Sequence, residues 1–225
     1  MHVAVLIPRR ADYGRRDQLA EWTRTRWSDL HPDFEIHEGH HSDGPFNRSA
    51  AINNAAGKAP DADVYVVADS DSFVDPNQLR TSIETAVLSG QVTFAYDRFA
   101  YLTRAMSDAI MDGFSGDWWP GVEWTMTGTC SSMVVIPGPL WRTLGGADEG
   151  FVGWGGEDIA LSLALQTFGG GMKRTAGEVW HLWHPPAPHT HDDVWPQRMQ
   201  LYADAAYNPD AMRELVDRLR TEVHA

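Results

Sequence analysis

Two aspartates, Asp69 and Asp71, follow an apolar run directly and are separated by one serine. Side chains two positions apart on an extended segment point the same way. Two carboxylates at a strand end can hold a hard divalent cation, or one can bind the metal while the other binds a ribose hydroxyl. An ordinary turn is the alternative, since aspartate is common where strands turn.

Two histidines, His181 and His184, lie close together late in the sequence. Imidazole combined with carboxylate suits a metal such as Mn²⁺. Zinc held by several thiolates is excluded, because Cys130 is the single cysteine. His181, His184 or both are candidates to bind a metal, and a plain loop is the alternative. His189 and His191 are expected to be solvated loop residues.

A glycine-rich stretch ends in two acidic residues, Glu157 and Asp158. Gly155 and Gly156 allow the backbone to turn tightly and to be approached closely. The pattern after them predicts a helix, whose first turn would favour an ionised carboxylate. Such a carboxylate facing a hydroxyl group is a suitable general base. Simple capping of the helix is the alternative.

Two further segments combine arginine with an aromatic or rigid neighbour. Pro8 and Arg9 end the first apolar run, and Phe46 lies two residues before Arg48. A ring and a guanidinium together can sandwich a base and steady a diphosphate. Solvated side chains are the alternative, and this interpretation is preferred for Arg10, Arg15 and Arg16.

Two tryptophans, Trp118 and Trp119, lie in a segment rich in glycine and tryptophan over residues 113–129. We predict a long surface loop there. Loops of this length are uncommon unless they have a function, so we expect it to lie beside a functional site. The two indoles are candidates to stack on a ring-shaped substrate, and such a loop could close over it. A hydrophobic lid packed on the core is the alternative.

The elements that would position these residues alternate between strands and helices. This order predicts an α/β fold with a mostly parallel central sheet flanked by helices. Ligands of such sheets bind beyond the carboxyl ends of the strands, where Asp69 and Asp71 are expected. Strands are predicted at 3–7, 34–37, 64–68, 91–96 and 132–136; helices at 15–30, 47–56, 76–88, 137–144, 157–168 and from 210 onward; loops at 40–45 and 181–191.

Composition limits the classes of partner. The chain has 225 residues and a formal net charge of -13, which disfavours a nucleic-acid surface because phosphate binding needs clustered lysine and arginine. No stretch approaches the length of a membrane span. The first apolar run is predicted to be a buried strand rather than a signal peptide. We therefore expect a soluble cytoplasmic protein.

Taken together, the motifs resemble the GT-A glycosyltransferases, and most closely the β-1,4-galactosyltransferase family. Related families are the polypeptide N-acetylgalactosaminyltransferases and the chondroitin-type polymerases. The similarity extends in the family's order from Pro8 to His184. The segments that carry it are Pro8-Arg9, F-N-R-S-A-A-I-N at 46–53, Asp69-Ser70-Asp71, G-F-V-G-W-G-G-E-D at 150–158, and His181 with His184.

The resemblance implies a GT-A, or nucleotide-diphospho-sugar transferase, fold and a UDP-sugar donor. Mn²⁺ would be the cofactor, with Mg²⁺ as the other candidate. Asp71 with His181 or His184 would bind the metal, and Asp69 would bind the metal or the ribose. The nucleotide-binding residues would be Pro8, Arg9, Phe46, Arg48 and Asp69.

The resemblance also implies which residues contact the donor sugar and the acceptor. Glu157 and Asp158 would meet donor and acceptor hydroxyls, and Asp158 would be the base for in-line attack at the anomeric carbon. The acceptor would be a carbohydrate or another hydroxyl compound. The residues expected to contact substrate are Trp118, Trp119, Trp154, Gly155 and Gly156.

The sequence departs from the family at three positions. Ile159 and Ala160 follow Asp158 where the galactosyltransferases have further aspartates, and His181 replaces a methionine three residues before the metal-binding histidine. An inverting reaction is preferred, and a retaining one is the alternative. A non-catalytic sugar- or nucleotide-binding module and a sugar nucleotidyltransferase are the other hypotheses.

One GT-A domain is expected over residues 1–225. Within it, residues 1–100 would form the nucleotide-binding half and residues 101–195 the acceptor and metal half. Residues 196–225 would form a C-terminal helix. This division follows the order of the motifs along the chain.

Overall fold

The computed structural model describes residues 1–153, 155–186 and 195–223. The strands are β1 (Val3–Arg9), β2 (Glu35–His40), β3 (Val64–Ala68), β4 (Ser72–Val74), β5 (Val92–Phe94), β6 (Arg98–Leu102), β7 (Val122–Thr127), β8 (Met133–Pro137), β9 (Met172–Arg174) and β10 (Glu178–His181). The helices are α1 (Arg15–Leu30), α2 (Arg48–Ala56), α3 (Pro76–Ser89), α4 (Arg104–Met111), α5 (Gly138–Leu144), α6 (Glu157–Gly169), α7 (Trp195–Ala205) and α8 (Pro209–Val223).

Six strands form the central sheet, in the order β2-β1-β3-β8-β5-β9. All of them run in one direction except β8, which is antiparallel to both of its neighbours. β1 and β3 are apolar along most of their length and buried, as expected for strands covered on both faces. Because α2, α3, α5 and α6 pack against this sheet, the predicted mostly parallel α/β architecture is confirmed.

Four strands form a second sheet, in the order β4-β10-β6-β7. Its two faces differ, because side chains alternate along a strand. One face carries Phe73 and Trp180 and contributes to a second hydrophobic cluster with Leu19 and Ile110, which we call the second core. The other face carries Phe99, Tyr101 and His181, whose rings contact one another. The second sheet therefore separates an apolar layer from a face with ionisable groups.

The Asp69–Asp71 segment joins the two sheets, since it connects β3 to β4. The segment is a turn, in which the Ser72 amide donates to the Asp69 carbonyl at 3.3 Å. The Asp69 amide donates to the Ser132 carbonyl, and the Leu182 amide donates to the Asp71 carbonyl. These bonds fix both aspartates between β8 and the end of β10. The backbone therefore follows the turn alternative rather than an extended segment with parallel side chains, and each carboxylate has its own neighbours.

Local sequence explains how the flanking helices begin and end. Asp75 accepts hydrogen bonds from the Asn77 and Gln78 amides at the start of α3, and Pro76 occupies the first turn. Gly90 ends α3 in the left-handed conformation, at φ 69°. Asn47 caps α2 by accepting from the Ala50 amide. These caps fix the residues at which α2 and α3 begin.

Two predictions on secondary structure need correction. The predicted 113–129 loop includes β7, which pairs with β6. The C-terminal helix predicted over residues 196–225 is a pair of helices, α7 and α8, which pack against each other.

Both sheets combine strands from before and after residue 100, so the proposed halves interleave. Among the described helices none has the length and apolar character needed to cross a membrane.

Candidate functional site

Asp71, His181 and His184 meet where β4 and β10 pair. His181 lies opposite Ser72 in this antiparallel pair, which brings its side chain beside Asp71. Nε2 of His184 is 3.1 Å from one Asp71 carboxylate oxygen, and Nε2 of His181 is 3.7 Å from the other. One ligand atom from each of the three residues lies within 4.8 Å of the others. We call these residues the metal group.

Burial and charge set the protonation of the metal group. Burial alone would raise the pKa of Asp71, but His181, His184 and Arg16 outweigh it and lower that pKa. Burial lowers the pKa of His181 despite the attraction of Asp71. For His184, burial is outweighed by the hydrogen bond to Asp71, and its pKa is raised. The group therefore supplies a carboxylate and a neutral imidazole, with a second imidazole hydrogen-bonded to the carboxylate.

The donor set fits a divalent transition metal. One carboxylate and two imidazoles suit Mn²⁺, Fe²⁺, Co²⁺ or Zn²⁺ and leave positions for other ligands. Metal–nitrogen and metal–oxygen bonds are about 2.1 Å long, so ligand atoms around one ion are at most about 4.2 Å apart. A small rotation of these side chains would complete such a site. Asp69 is not part of this group.

Asp69 binds Arg48 instead. Nη2 of Arg48 donates to one Asp69 carboxylate oxygen at 2.7 Å, and the Ser132 hydroxyl donates to the other at 2.9 Å. Burial would lower the pKa of Arg48, but Asp69, Glu157 and Asp158 together raise it. The guanidinium therefore stays charged among three acidic side chains.

Glu157 and Asp158 begin α6, as the sequence predicts. Gly156 precedes them in the left-handed conformation, at φ 86°, where a side chain would be strained. The Gly155 amide donates to the Glu157 carboxylate at 3.2 Å. Burial raises the pKa of Glu157, Arg48 opposes this, and Asp158 adds to it. A raised carboxyl pKa beside a fixed cation is typical of functional sites.

Backbone and amide contacts join the segment before α2 to the glycine-rich stretch. The Gly153 amide donates to the Phe46 carbonyl at 3.1 Å, and the Asn47 side chain donates to the Glu149 carbonyl at 2.7 Å. The Asn53 side chain bonds the backbone of Ala147 in both directions. The phenylalanine at 46 is half-buried. These contacts hold two predicted motifs side by side.

Arg9 has partners within the protein. Its guanidinium pairs with Asp17 at 2.8 Å and with Glu38 at 3.3 Å, and Pro8 before it is buried in β1. In this arrangement Arg9 braces β1 against β2 and the start of α1. Nucleotide contact by Pro8 and Arg9 stays a prediction.

Trp118 and Trp119 lie on the side of the second sheet that bears the second core. Trp118 packs edge-on against Phe73 and Trp180, with ring centroids 5.4 and 5.2 Å apart. Trp119 packs on Trp180 and remains 41% exposed. Since Trp180 and His181 point to opposite faces of β10, this arrangement fits the hydrophobic-lid alternative. Trp154, His189 and His191 lie outside the described residues.

Another tryptophan lies on the same face as the metal group and was not singled out from the sequence. Trp124 stacks on Tyr101 with ring centroids 3.7 Å apart, and Tyr101 contacts the His181 ring at 4.8 Å. Trp124 is 46% exposed. Its position depends on the pairing of β7 with β6, whereas the sequence predicts a loop over residues 113–129.

Two arginines expected to be solvated have partners within the protein instead, and one of them, Arg16, lies against the metal group. Nη2 of Arg16 is 3.1 Å from Nδ1 of His184. Arg15 donates to the Trp183 carbonyl at 3.3 Å and pairs with Asp108 at 2.7 Å. Arg10 is exposed as expected and donates to the Ser42 and Gly44 carbonyls. The start of α1 is therefore part of the site.

Neither a protein-family model nor a curated protein sequence matches this chain. Among solved structures, the catalytic domain of Drosophila β1,4-galactosyltransferase 7 in complex with xylobiose is similar, with 16% identity and a TM-score of 0.49. A mutant of that Drosophila enzyme, in complex with manganese, UDP-Gal and xylobiose, has 15% identity and a TM-score of 0.49. In both comparisons the alignment covers 78% of this chain and 65% of the other, slightly under two thirds of its length.

Proposed function

We propose that this chain is a metal-dependent glycosyltransferase of the GT-A type that moves a hexose or N-acetylhexosamine from a UDP-sugar to an acceptor hydroxyl. The observation that carries the proposal is the meeting of the sequence motifs. Arg48 pairs with Asp69, and Asp71 pairs with His184. The charge of Arg48 also acts on the Glu157 carboxylate and opposes the rise in its pKa. Chemically distinct motifs far apart in sequence thus share one end of the central sheet.

The nucleotide side of the site would use the F-N-R and D-x-D segments. Arg48 and Phe46 would contact the uridine diphosphate, and Asp69 would hold the ribose while it stays paired with Arg48. The metal group would hold Mn²⁺, with Mg²⁺ as the other candidate. When bound, the metal would supply Lewis-acid stabilisation of the charge that develops on the departing diphosphate. Residues 1–100 would supply most of this side, within one domain.

The acceptor side would use the start of α6. Asp158 would take the proton of the acceptor hydroxyl while the hydroxyl oxygen forms a bond to the anomeric carbon. The bond from that carbon to the diphosphate oxygen would break, leaving its electron pair on UDP. Attack opposite the leaving group inverts the anomeric configuration, which we prefer over the retaining alternative. Glu157, Gly155 and Gly156 would contact sugar hydroxyls.

The direct experiment is donor turnover by the purified chain. UDP-galactose, UDP-glucose, UDP-N-acetylgalactosamine and UDP-N-acetylglucosamine are each incubated with Mn²⁺, with Mg²⁺ or with EDTA, and UDP release is measured. We expect UDP release from one donor, lost in EDTA and restored by Mn²⁺. Metal-independent UDP release would contradict the metal assignment.

Two other outcomes would select the rival hypotheses. Metal-dependent UDP binding without turnover of any donor, with sugar acceptors present, would favour the non-catalytic binding module. Pyrophosphate release from UTP and a sugar 1-phosphate would favour a nucleotidyltransferase. Each of these outcomes would overturn the proposed transferase.

A further inference from the structure

Nδ1 of His184 has two neighbours that need opposite states of that nitrogen. Arg16 approaches it at 3.1 Å and can only donate. The Pro185 carbonyl approaches it at 2.8 Å and can only accept. A neutral imidazole carries one proton, so Nδ1 satisfies Arg16 or Pro185 but not both. The two contacts therefore correspond to two tautomers of His184.

The tautomers differ in what the other ring nitrogen can do. When Nδ1 accepts from Arg16, Nε2 carries the proton and can donate to Asp71, 3.1 Å away. When Nδ1 donates to Pro185, the Nε2 lone pair is free to bind a metal. A metal-binding histidine usually donates its other N–H to a carbonyl or carboxylate in this way. The tautomer that binds metal is thus the one that leaves Arg16 without its histidine acceptor.

Arg16 would then need another acceptor. Its side chain is half-buried, and its charge acts on Asp71 and both histidines of the metal group. A guanidinium beside a divalent cation is repelled unless an anion lies between them. Arginine matches the geometry of phosphate oxygens, to which it often donates two parallel hydrogen bonds.

We propose that Arg16 anchors the diphosphate of the nucleotide donor, moving from Nδ1 of His184 to phosphate oxygens when the metal group takes up its cation. The proposal rests on the proposed function, because it assumes a diphosphate ligand at the metal group. It makes Arg16 a binding residue for the donor and links nucleotide binding to the tautomer of His184.

The test measures three affinities by titration calorimetry or NMR: Mn²⁺ alone, UDP with saturating Mn²⁺, and uridine, which lacks both phosphates. The variants are Arg16→Gln, Arg16→Lys and Arg24→Gln. Arg24 is the matched control, because it lies on the same helix, is half exposed and forms a long ion pair with Glu38, at 3.9 Å.

We expect Arg16→Gln to weaken UDP binding by about tenfold or more, as for loss of a hydrogen bond to a charged group. Mn²⁺ alone should bind Arg16→Gln at least as tightly as wild type, because a repelling charge and a competing donor are gone. Uridine should bind unchanged, Arg16→Lys should recover part of the UDP affinity, and Arg24→Gln should match wild type.

Two results would overturn the proposal while leaving the proposed function in place. The first is equal UDP affinity in Arg16→Gln and wild type. The second is weaker binding of Mn²⁺ alone in Arg16→Gln, which would mean that Arg16 merely supports His184. A wild-type chain that binds Mn²⁺ but no UDP would instead contradict the proposed function itself, and the anchor with it.

Discussion

The Arg48 guanidinium and the Asp69 carboxylate form a half-buried ion pair at 2.7 Å, with 13% and 24% of their side-chain surfaces exposed. Asp69 also accepts from the Ser132 hydroxyl, and the Arg48 charge faces Glu157 and Asp158 as well. The pair therefore links the start of α2 to the turn after β3 and to the start of α6. Removing Arg48 would leave three acidic side chains without their shared cation, and removing Asp69 would leave Arg48 without its hydrogen-bonded carboxylate.

The first prediction concerns the stability of this pair. We expect Arg48→Met and Asp69→Asn each to lower the free energy of unfolding by about 2 kcal/mol, with the double variant losing clearly less than the sum. Chemical denaturation of all four proteins measures the coupling. Arg220 and Asp217, an exposed pair at 3.9 Å, form the control cycle and should show a coupling near zero. Additive losses at Arg48 and Asp69 would contradict the prediction.

The second prediction concerns the base. Asp158→Asn should lower the turnover rate of glycosyl transfer by about 10²- to 10⁴-fold, because the acceptor proton loses its carboxylate. UDP affinity, measured in parallel, should change little. Asp210→Asn is the matched control, since Asp210 also lies in the first turn of a helix but is exposed on α8. Unchanged turnover in Asp158→Asn would assign the proton transfer elsewhere.

The third prediction concerns pH and stability. His31 is buried at the end of α1, with its ring stacked on Phe34 at 4.8 Å. Burial, followed by repulsion from Arg80 and Arg26, lowers its pKa from 6.5 to about 4. Between pH 6.5 and pH 4, His31 is protonated in the unfolded chain but not in the folded chain. The free energy of unfolding therefore falls as pH drops from 6.5 towards 4.

The His31→Phe variant isolates this contribution. From pH 7 to pH 5, wild type should lose about 1 to 2 kcal/mol more of its free energy of unfolding than the variant. Above pH 7 the difference between the two proteins should be constant. Chemical denaturation at several pH values measures both trends, and parallel pH profiles would show that His31 is not the responsible group.

The central strands were predictable because their patterns are local. β1 and β3 are short apolar runs, and Asp75-Pro76 with Gly90 marks both ends of α3. β7 was not predicted, since it lies among glycines and tryptophans and is mostly exposed. Its assignment depends on pairing with β6, which brings together residues distant in sequence.

In the candidate site, too, some features follow from local sequence and others depend on contacts between distant residues. The types and spacing of Asp71, His181 and His184 predict metal ligands, but not that both imidazoles face one carboxylate. That fact depends on the register of β10 against β4, where His181 lies opposite Ser72. The position of Arg16 beside His184 depends on α1 meeting the end of β10. No local pattern in the sequence encodes that contact.

The most direct measurement is Mn²⁺ binding to the purified chain by titration calorimetry. We predict that one Mn²⁺ binds per wild-type chain. Loss of a residue that only hydrogen-bonds to a metal ligand weakens metal affinity by about 10- to 100-fold. Asp71→Asn and His184→Gln should each weaken Mn²⁺ affinity by more than that. His2→Gln is the control, because His2 precedes β1 and pairs with Glu35, and it should bind Mn²⁺ like wild type. Equal Mn²⁺ affinity in wild type and Asp71→Asn would contradict the metal site on which the proposed activity depends.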